Sequence, residues 1–204
     1  MTAQEALDPA TAHLIRFSAA VAWGEKAGVG EAAAACHAAG VPTAWVEEML
    51  LQSVLMTGYP RALVAFAAWR EVSGPVSADD PVGPAEWTRR GEQCCEVVYG
   101  ANYQKLRDNV RALHPALDHW MIAEGYGRTL ARPGLDLRRR ELCIVAQTAV
   151  LDTPRQLHSH LRGALHTGAT PAQIDTVLQL VRLLLPPEGW EEVQELWRTV
   201  RAGP

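Results

Sequence analysis

Apolar residues in this chain recur at helical spacing. Val46, Met49, Leu50, Ser53 and Val54 fall on one helical face, and so do Ile174, Val177, Leu178, Val181 and Leu185. Alternating Val/Ile/Thr stretches bounded by turn residues are absent, while the helix formers Ala, Leu, Glu, Gln and Arg dominate. The expected fold class is therefore all-α. With 48% hydrophobic residues over 204 positions, the chain can bury the core of one domain or of two small ones. The stretch SGPVSADDPVGP, 73–84, has turn chemistry throughout and no apolar period. It divides the chain into an expected N-terminal unit, 1–73, a linker, 74–85, and a C-terminal unit, 86–204.

The two units share a pattern. Sliding the sequence on itself by 128 positions pairs Leu14 with Leu142, Gly40 with Gly168, Ala44 with Ala172, Leu50 with Leu178 and Leu55 with Leu183. Trp69-Arg70 also meets Trp197-Arg198, an uncommon dipeptide, and the matches run without a gap from Leu14 to Val72. An internal repeat of one helical unit is expected, its copies packed with pseudo-twofold symmetry because each has an apolar face the other can cover. The C-terminal copy carries an extra helical segment in front of it, from Glu86 to about Leu130. Trp69 and Trp197 are expected as core anchors.

Charge and cysteine usage exclude several functions. A net charge of −4 and a pI near 6.0 give no basic field for a polyanion, although Arg138, Arg139 and Arg140 are adjacent, so no nucleic-acid partner is expected. No apolar run approaches the roughly 20 residues that span a bilayer. The N-terminus, with Glu5 and Asp8, lacks the basic start and apolar stretch of a signal peptide, which makes the cytoplasm the expected compartment. Cys36, Cys94, Cys95 and Cys143 form neither a C-x-x-C pair nor a zinc-ligand spacing. Cys94 and Cys95 are adjacent and could join only in a strained vicinal disulfide, so reduced, partly buried thiols are expected.

RPGLDLRRREL, Arg132 to Leu142, is followed by an apolar helix and then by HLRGALHTGATPAQI, His160 to Ile174. These segments resemble the carboxymuconolactone decarboxylase family, whose members read approximately R-P-G-L-D-x-R-x-R-x-L and then H-x-x-x-A-L-x-x-G-x-T-x-x-E-I. The resemblance extends back through RRGEQCCEVVYG, Arg89 to Gly100, and covers Glu86 to Val200. Ala39 to Leu63 resembles the core of the same unit, with Gly58-Tyr59-Pro60-Arg61 matching the family's G-x-P element, where the C-terminal copy has Pro186-Pro187-Glu188-Gly189. The implied fold is an alkylhydroperoxidase D-like helical bundle built from two related units.

In the peroxidase branch of that family a glutamate opens one helix, and a C-x-x-C followed by histidine opens the next. By position the glutamate is Glu141 and the final histidine His160, while the two cysteine positions hold Thr153 and Gln156 and the histidine between them is Arg155. Without those thiols, peroxide reduction and disulfide exchange have no reactant here. The matching N-terminal positions are Glu25, Gly28 and Ala32. Thr153-Pro154-Arg155-Gln156 reads independently as a helix start with Thr as N-cap, Pro in the first turn and Gln closing a capping box, a device repeated at Thr170-Pro171-Ala172-Gln173. Glu141 follows three arginines and could be an exposed surface partner, or it could be buried at the head of its apolar helix with a partner such as His160. His158 and His166 are rotated away from His160, and no histidine pattern of a metal site occurs.

The resemblance implies a lyase of the decarboxylase type acting on a small carboxylated lactone or related ring carboxylate, with no metal or organic cofactor. His160 would donate the proton, Glu141 would orient it, and Arg155 or Arg162 would meet anionic groups of the substrate, although both arginines could equally be solvated helix-face charges. Two alternatives stand beside it: a thiol-dependent hydroperoxidase, opposed by the missing C-x-x-C, and a non-catalytic binding or assembly member. A homo-oligomer, trimer or hexamer, is expected from the family and from the apolar circumference of Val177 to Leu185.

Overall fold

Asp8 opens the first helix, its carboxylate accepting the Thr11 backbone N–H at 2.8 Å, with Pro9 in the first turn where no amide partner is needed. In the computed structural model, which describes residues 6–74 and 82–203, α1 (Pro9–Trp23) is followed by α2 (Lys26–Ala38) and α3 (Thr43–Val72). Gly58 interrupts α3 with φ 73° and ψ 167°, a conformation open to glycine, and Pro60, which has no amide to donate, restarts the helix. After the undescribed residues come α4 (Pro84–Tyr99), α5 (Tyr103–Leu113), α6 (Pro115–Trp120) and a π-helix (Met121–Leu130). Then follow α7 (Leu137–Val150), α8 (Pro154–His166), α9 (Pro171–Val181) and α10 (Pro187–Ala202), with a 3₁₀ turn at Arg182–Leu184. The protein is all-α, and no strand occurs among the described residues.

Helices α1 and α7 pack together at the centre. Ten consecutive residues of α7, Arg140 to Ala149, are buried, as are Phe17 to Ala22 of α1, so each helix is covered nearly all round. Polar cross-links fix their register: the Ser18 hydroxyl donates to the Cys143 carbonyl at 2.9 Å and the Gln147 amide donates to the Ser18 carbonyl at 3.5 Å, while the same amide reaches Ser53 Oγ of α3 at 2.6 Å. Arg140, fully buried, donates to Glu48 Oε2 at 2.7 Å, to Gln52 Oε1 at 3.3 Å and to the carbonyls of Arg132, Leu135 and Glu48. Burial pushes its pKa down and the Glu48 carboxylate opposes that, as a buried charge requires.

A second, smaller core lies between α4, the π-helix and Ile144 of α7. α4 crosses the π-helix through Gly91 and Gly127. A Cβ on Gly91 would lie 2.0 Å from the Ile122 carbonyl oxygen, and one on Gly127 would lie 1.8 Å from that of Trp87, so only bare backbone fits on both sides. Extended π-helix is rare and occurs mostly at functional sites.

Three expectations meet the structure directly. Residues 75–81 of the expected linker lie outside the described residues, and α4 already begins at Pro84, so the linker's last two positions are helical. Thr153 does not close a capping box: its ψ is 73°, its hydroxyl donates back to the Thr148 carbonyl at 3.1 Å, and Gln156 is exposed. The tight α7–α8 turn claims the hydroxyl first, whereas Thr170 and Gln173 do form the box. The helix containing Val177 ends at Val181, and Val177, Leu178 and Val181 are spent on the chain's own core, leaving Leu183 as the fully exposed apolar residue of that stretch.

The helix limits in the two halves fall in one register. α2 and α8 begin at Lys26 and Pro154 and end at Ala38 and His166, and α3 and α9 begin at Thr43 and Pro171. Asp8 and Asp136 cap α1 and α7, and Gly40 and Gly168 both have positive φ.

Candidate functional site

Asp136 starts α7 by accepting the Arg139 N–H at 3.1 Å, which sends Glu141 into the interior just after the first turn. Helix α8 enters beside it, and His160, in its second turn, points back at α7. His160 Nδ1 lies 2.9 Å from Glu141 Oε2, the glutamate 1% exposed and the histidine 7%. The reading of Glu141 as a surface partner is therefore replaced by the buried one. A carboxylate without water is tolerable only with such a partner, and the bond occupies Nδ1 rather than Nε2.

Gly163, one turn beyond His160 on α8, makes this possible. A Cβ there would stand 2.5 Å from Glu141 Oε2 and 2.8 Å from Val98 Cγ1, so α8 gives bare backbone where the carboxylate and α4 converge. His166 fixes α4 from the same helix, its Nδ1 2.7 Å from the Val98 carbonyl oxygen.

The wall facing Glu141 comes from α4 and the π-helix. Tyr99 and Tyr126 meet edge to face with ring centres 6.3 Å apart, and Tyr126 and Cys95 are buried. Burial raises the Tyr99 phenol, with the Glu141 carboxylate adding to it against Tyr126 and Ser159, and burial raises Tyr126 far more. Burial likewise pushes the Cys94 thiol up to about 12, reinforced by Glu141, and Cys95 higher still. Cys36 and Cys143, in the main core, are pushed up to about 12 by burial. All four cysteines are free and buried, so none presents a ready thiolate.

The structure brings Glu141 and His160 together but not the two arginines. At 100° per residue Arg155 is about 140° and Arg162 about 160° around α8 from His160. Arg155 is exposed and Arg162 half-buried. Sequence reasoning missed Tyr99, Tyr126 and Gly163. Gly163 and His160 share a face by spacing, and so do Cys95 and Tyr99, but nothing local shows that the two faces meet.

A cleft of about 590 Å³ opens on the other side of the π-helix, lined by Leu55 and Tyr59 of α3, Trp87 of α4, and Glu124 and Arg128, and neither Glu141 nor His160 reaches it. Among the described residues no group of three or more His, Cys, Asp or Glu side chains gathers as a metal site, and no helix is long and apolar enough to cross a membrane.

The family model for the carboxymuconolactone decarboxylase family matches residues 115–201, the span that holds both Glu141 and His160. That span is a unit of this family. The match runs from α6 to the end of α10, so in this carboxymuconolactone decarboxylase unit the paired glutamate and histidine come from inside the matched span, and Tyr99 of the covering wall comes from outside it. No curated protein matches the chain.

Proposed function

We propose that the protein is a cofactor-free lyase of the decarboxylase type, acting on a small carboxylated lactone or a related ring carboxylate. The observation that carries this reading is the buried Glu141–His160 contact of 2.9 Å. It supports a histidine held in one orientation with one ring nitrogen left for proton transfer. As carbon dioxide leaves such a lactone, the electrons of the breaking carbon–carbon bond move through the ring alkene to the carbonyl oxygen, giving a dienolate. His160 Nε2–H then gives its proton to the dienolate carbon, and solvent restores it. Glu141 holds the tautomer and stabilises the cationic ring.

The positions of the family's thiol pair hold Thr153, bonded to Thr148, and exposed Gln156, which favours this reading over peroxide chemistry. Because Arg155 and Arg162 do not share His160's face, they are not assigned to the substrate here. The shared helix limits of the two halves support a duplicated unit, tested by superposing residues 14–72 on 142–200. A homo-oligomer remains part of the proposal, and a monomer mass in light scattering would remove it.

The test is turnover of a panel of carboxylated lactones by the wild-type chain and two variants. His160→Asn is expected to lower kcat by about 100-fold or more, the usual weight of a positioned acid. Replacing all four cysteines by Ser is expected to keep most of the rate. Thiol-dependent peroxide turnover that vanishes in the cysteine-free chain would overturn the reading.

A further inference from the structure

Two helices end side by side. α4 stops at Tyr99 and α8 at His166, and the last carbonyls of a helix have no partner within it. His166 supplies one, its Nδ1 lying 2.7 Å from the Val98 carbonyl oxygen. A Cβ on Gly100 would meet the same ring at Cε1, 3.6 Å away, so the imidazole lies over the turn that ends α4. Gly100 has φ 52°, a backbone that glycine adopts without strain.

The residue held in this way is also the one that closes on Glu141. Val98 is buried, and its Cγ1 and Glu141 Oε2 would stand 2.8 Å and 2.5 Å from a Cβ at Gly163, so α4, α7 and α8 converge on one bare glycine. Glu141 Oε2 is the oxygen that His160 Nδ1 meets at 2.9 Å. Contacts therefore run unbroken from His166 through Val98 to the bonded carboxylate oxygen. In the N-terminal half the position matching His166, the last of α2, is an exposed Ala38. His166 is itself exposed, so its imidazole does not fill the core.

We propose that His166 is a positioning residue, a clasp that holds the end of α4 closed on α8 and keeps water from the Glu141–His160 pair. It touches no substrate and moves no proton. The inference rests on the acid–base reading above, for which it names the residue that keeps the pair dry. Water that reaches a buried polar pair competes for both partners and screens them, so opening this seam loosens His160 before the helices themselves unfold.

Two substitutions separate the donor from the ring. His166→Asn puts an amide N–H near the place of Nδ1, and His166→Phe keeps a flat ring without a donor. The readout is the NMR exchange rate with water of the proton bridging His160 and Glu141. His166→Phe is expected to speed that exchange by about 3- to 10-fold, the effect of losing one hydrogen bond of ordinary strength, and His166→Asn to return it to within about 2-fold of wild type. Thr170→Ala removes the α9 cap, lowering the stability of the whole fold by a similar factor, and is expected to leave the rate unchanged because the seam can open with that cap intact. An unchanged rate in His166→Phe, or an equal rise in Thr170→Ala, overturns the proposal. So does a bridging proton that exchanges too fast to be seen in the wild-type chain, since the seam would then not be closed. Faster exchange that follows His166 while no carboxylated lactone is turned over upholds the clasp and removes the lactone reading.

Discussion

Helices α2 and α8 occupy the same place in the two halves of the chain, with limits that fall in one register, yet only α8 carries a buried polar pair. Where α7 and α8 hold Glu141 and His160, α1 and α2 hold His13 and Ala32, both half-buried. Where α8 has Gly163 against the carboxylate and Val98, α2 has an exposed Ala35. The difference lies in what covers each pair of helices. α4 closes over α8, with the π-helix packed on α4 and Ile144 of α7 in the core between them, whereas α2 packs against α1 and α3 alone among its main neighbours. The buried Glu141–His160 contact thus lies on the covered side, where exclusion of water strengthens a polar pair.

The glycines offer the strongest way to break this comparison. Gly127→Ala places a methyl 1.8 Å from the Trp87 carbonyl oxygen, and it is expected to destabilise the fold by about 3 kcal/mol or more, at the upper end of overpacking. Gly30→Ala in α2 meets nothing within 4 Å and is expected to stabilise by about 0.5–1 kcal/mol through helix propensity. Chemical denaturation of both variants reads the difference. Equal shifts of the same sign would mean that the α4–π cover is not what distinguishes the halves.

Removing one partner of the pair comes next in size. Glu141→Ala leaves His160 buried beside a void and without its bond, an expected cost of about 2 kcal/mol. His13→Ala, at the matching and half-buried position, is expected to stay within about 0.5 kcal/mol. Thermal melts at one pH would compare them, and a large loss at His13 would show that the N-terminal half also holds a polar centre.

The smallest expected effect is one in which the halves should agree. Burial works against ionisation of Asp8 and Asp136, but bonds from Thr11 at Asp8 and from Arg139 at both hold each carboxyl below its ordinary value of 3.8. A lowered folded value means that these caps contribute fully above about pH 3.8 and lose their contribution as the pH falls through the folded values. Asp8→Ala and Asp136→Ala should each cost about 1 kcal/mol at pH 7, and the gap from wild type should shrink in acid below 3.8. Urea titrations at pH 7 and pH 3 provide the check, and a gap that stays constant would refute the capping account.

Local information in the sequence was enough for the helices and their punctuation. Apolar spacing set α3 and α9, and Thr170 with Gln173 set the start of α9, because each depends on residues within one or two turns. Glu141 and His160 were also legible, since both lie in one continuous family pattern. Local reading failed at Thr153, where a carbonyl of the preceding helix took the hydroxyl intended for the cap. It failed too for the contact of Tyr99 with Tyr126, the need for glycine at 163, and the turning away of Arg155 and Arg162 from the centre. Those depend on α4 and a π-helix crossing at bare backbone and on which face of α8 they cover. Periodicity determines that a residue points inward, but which distant side chain it meets there is decided only when the helices pack, because shape, desolvation and charge act between residues far apart in the chain.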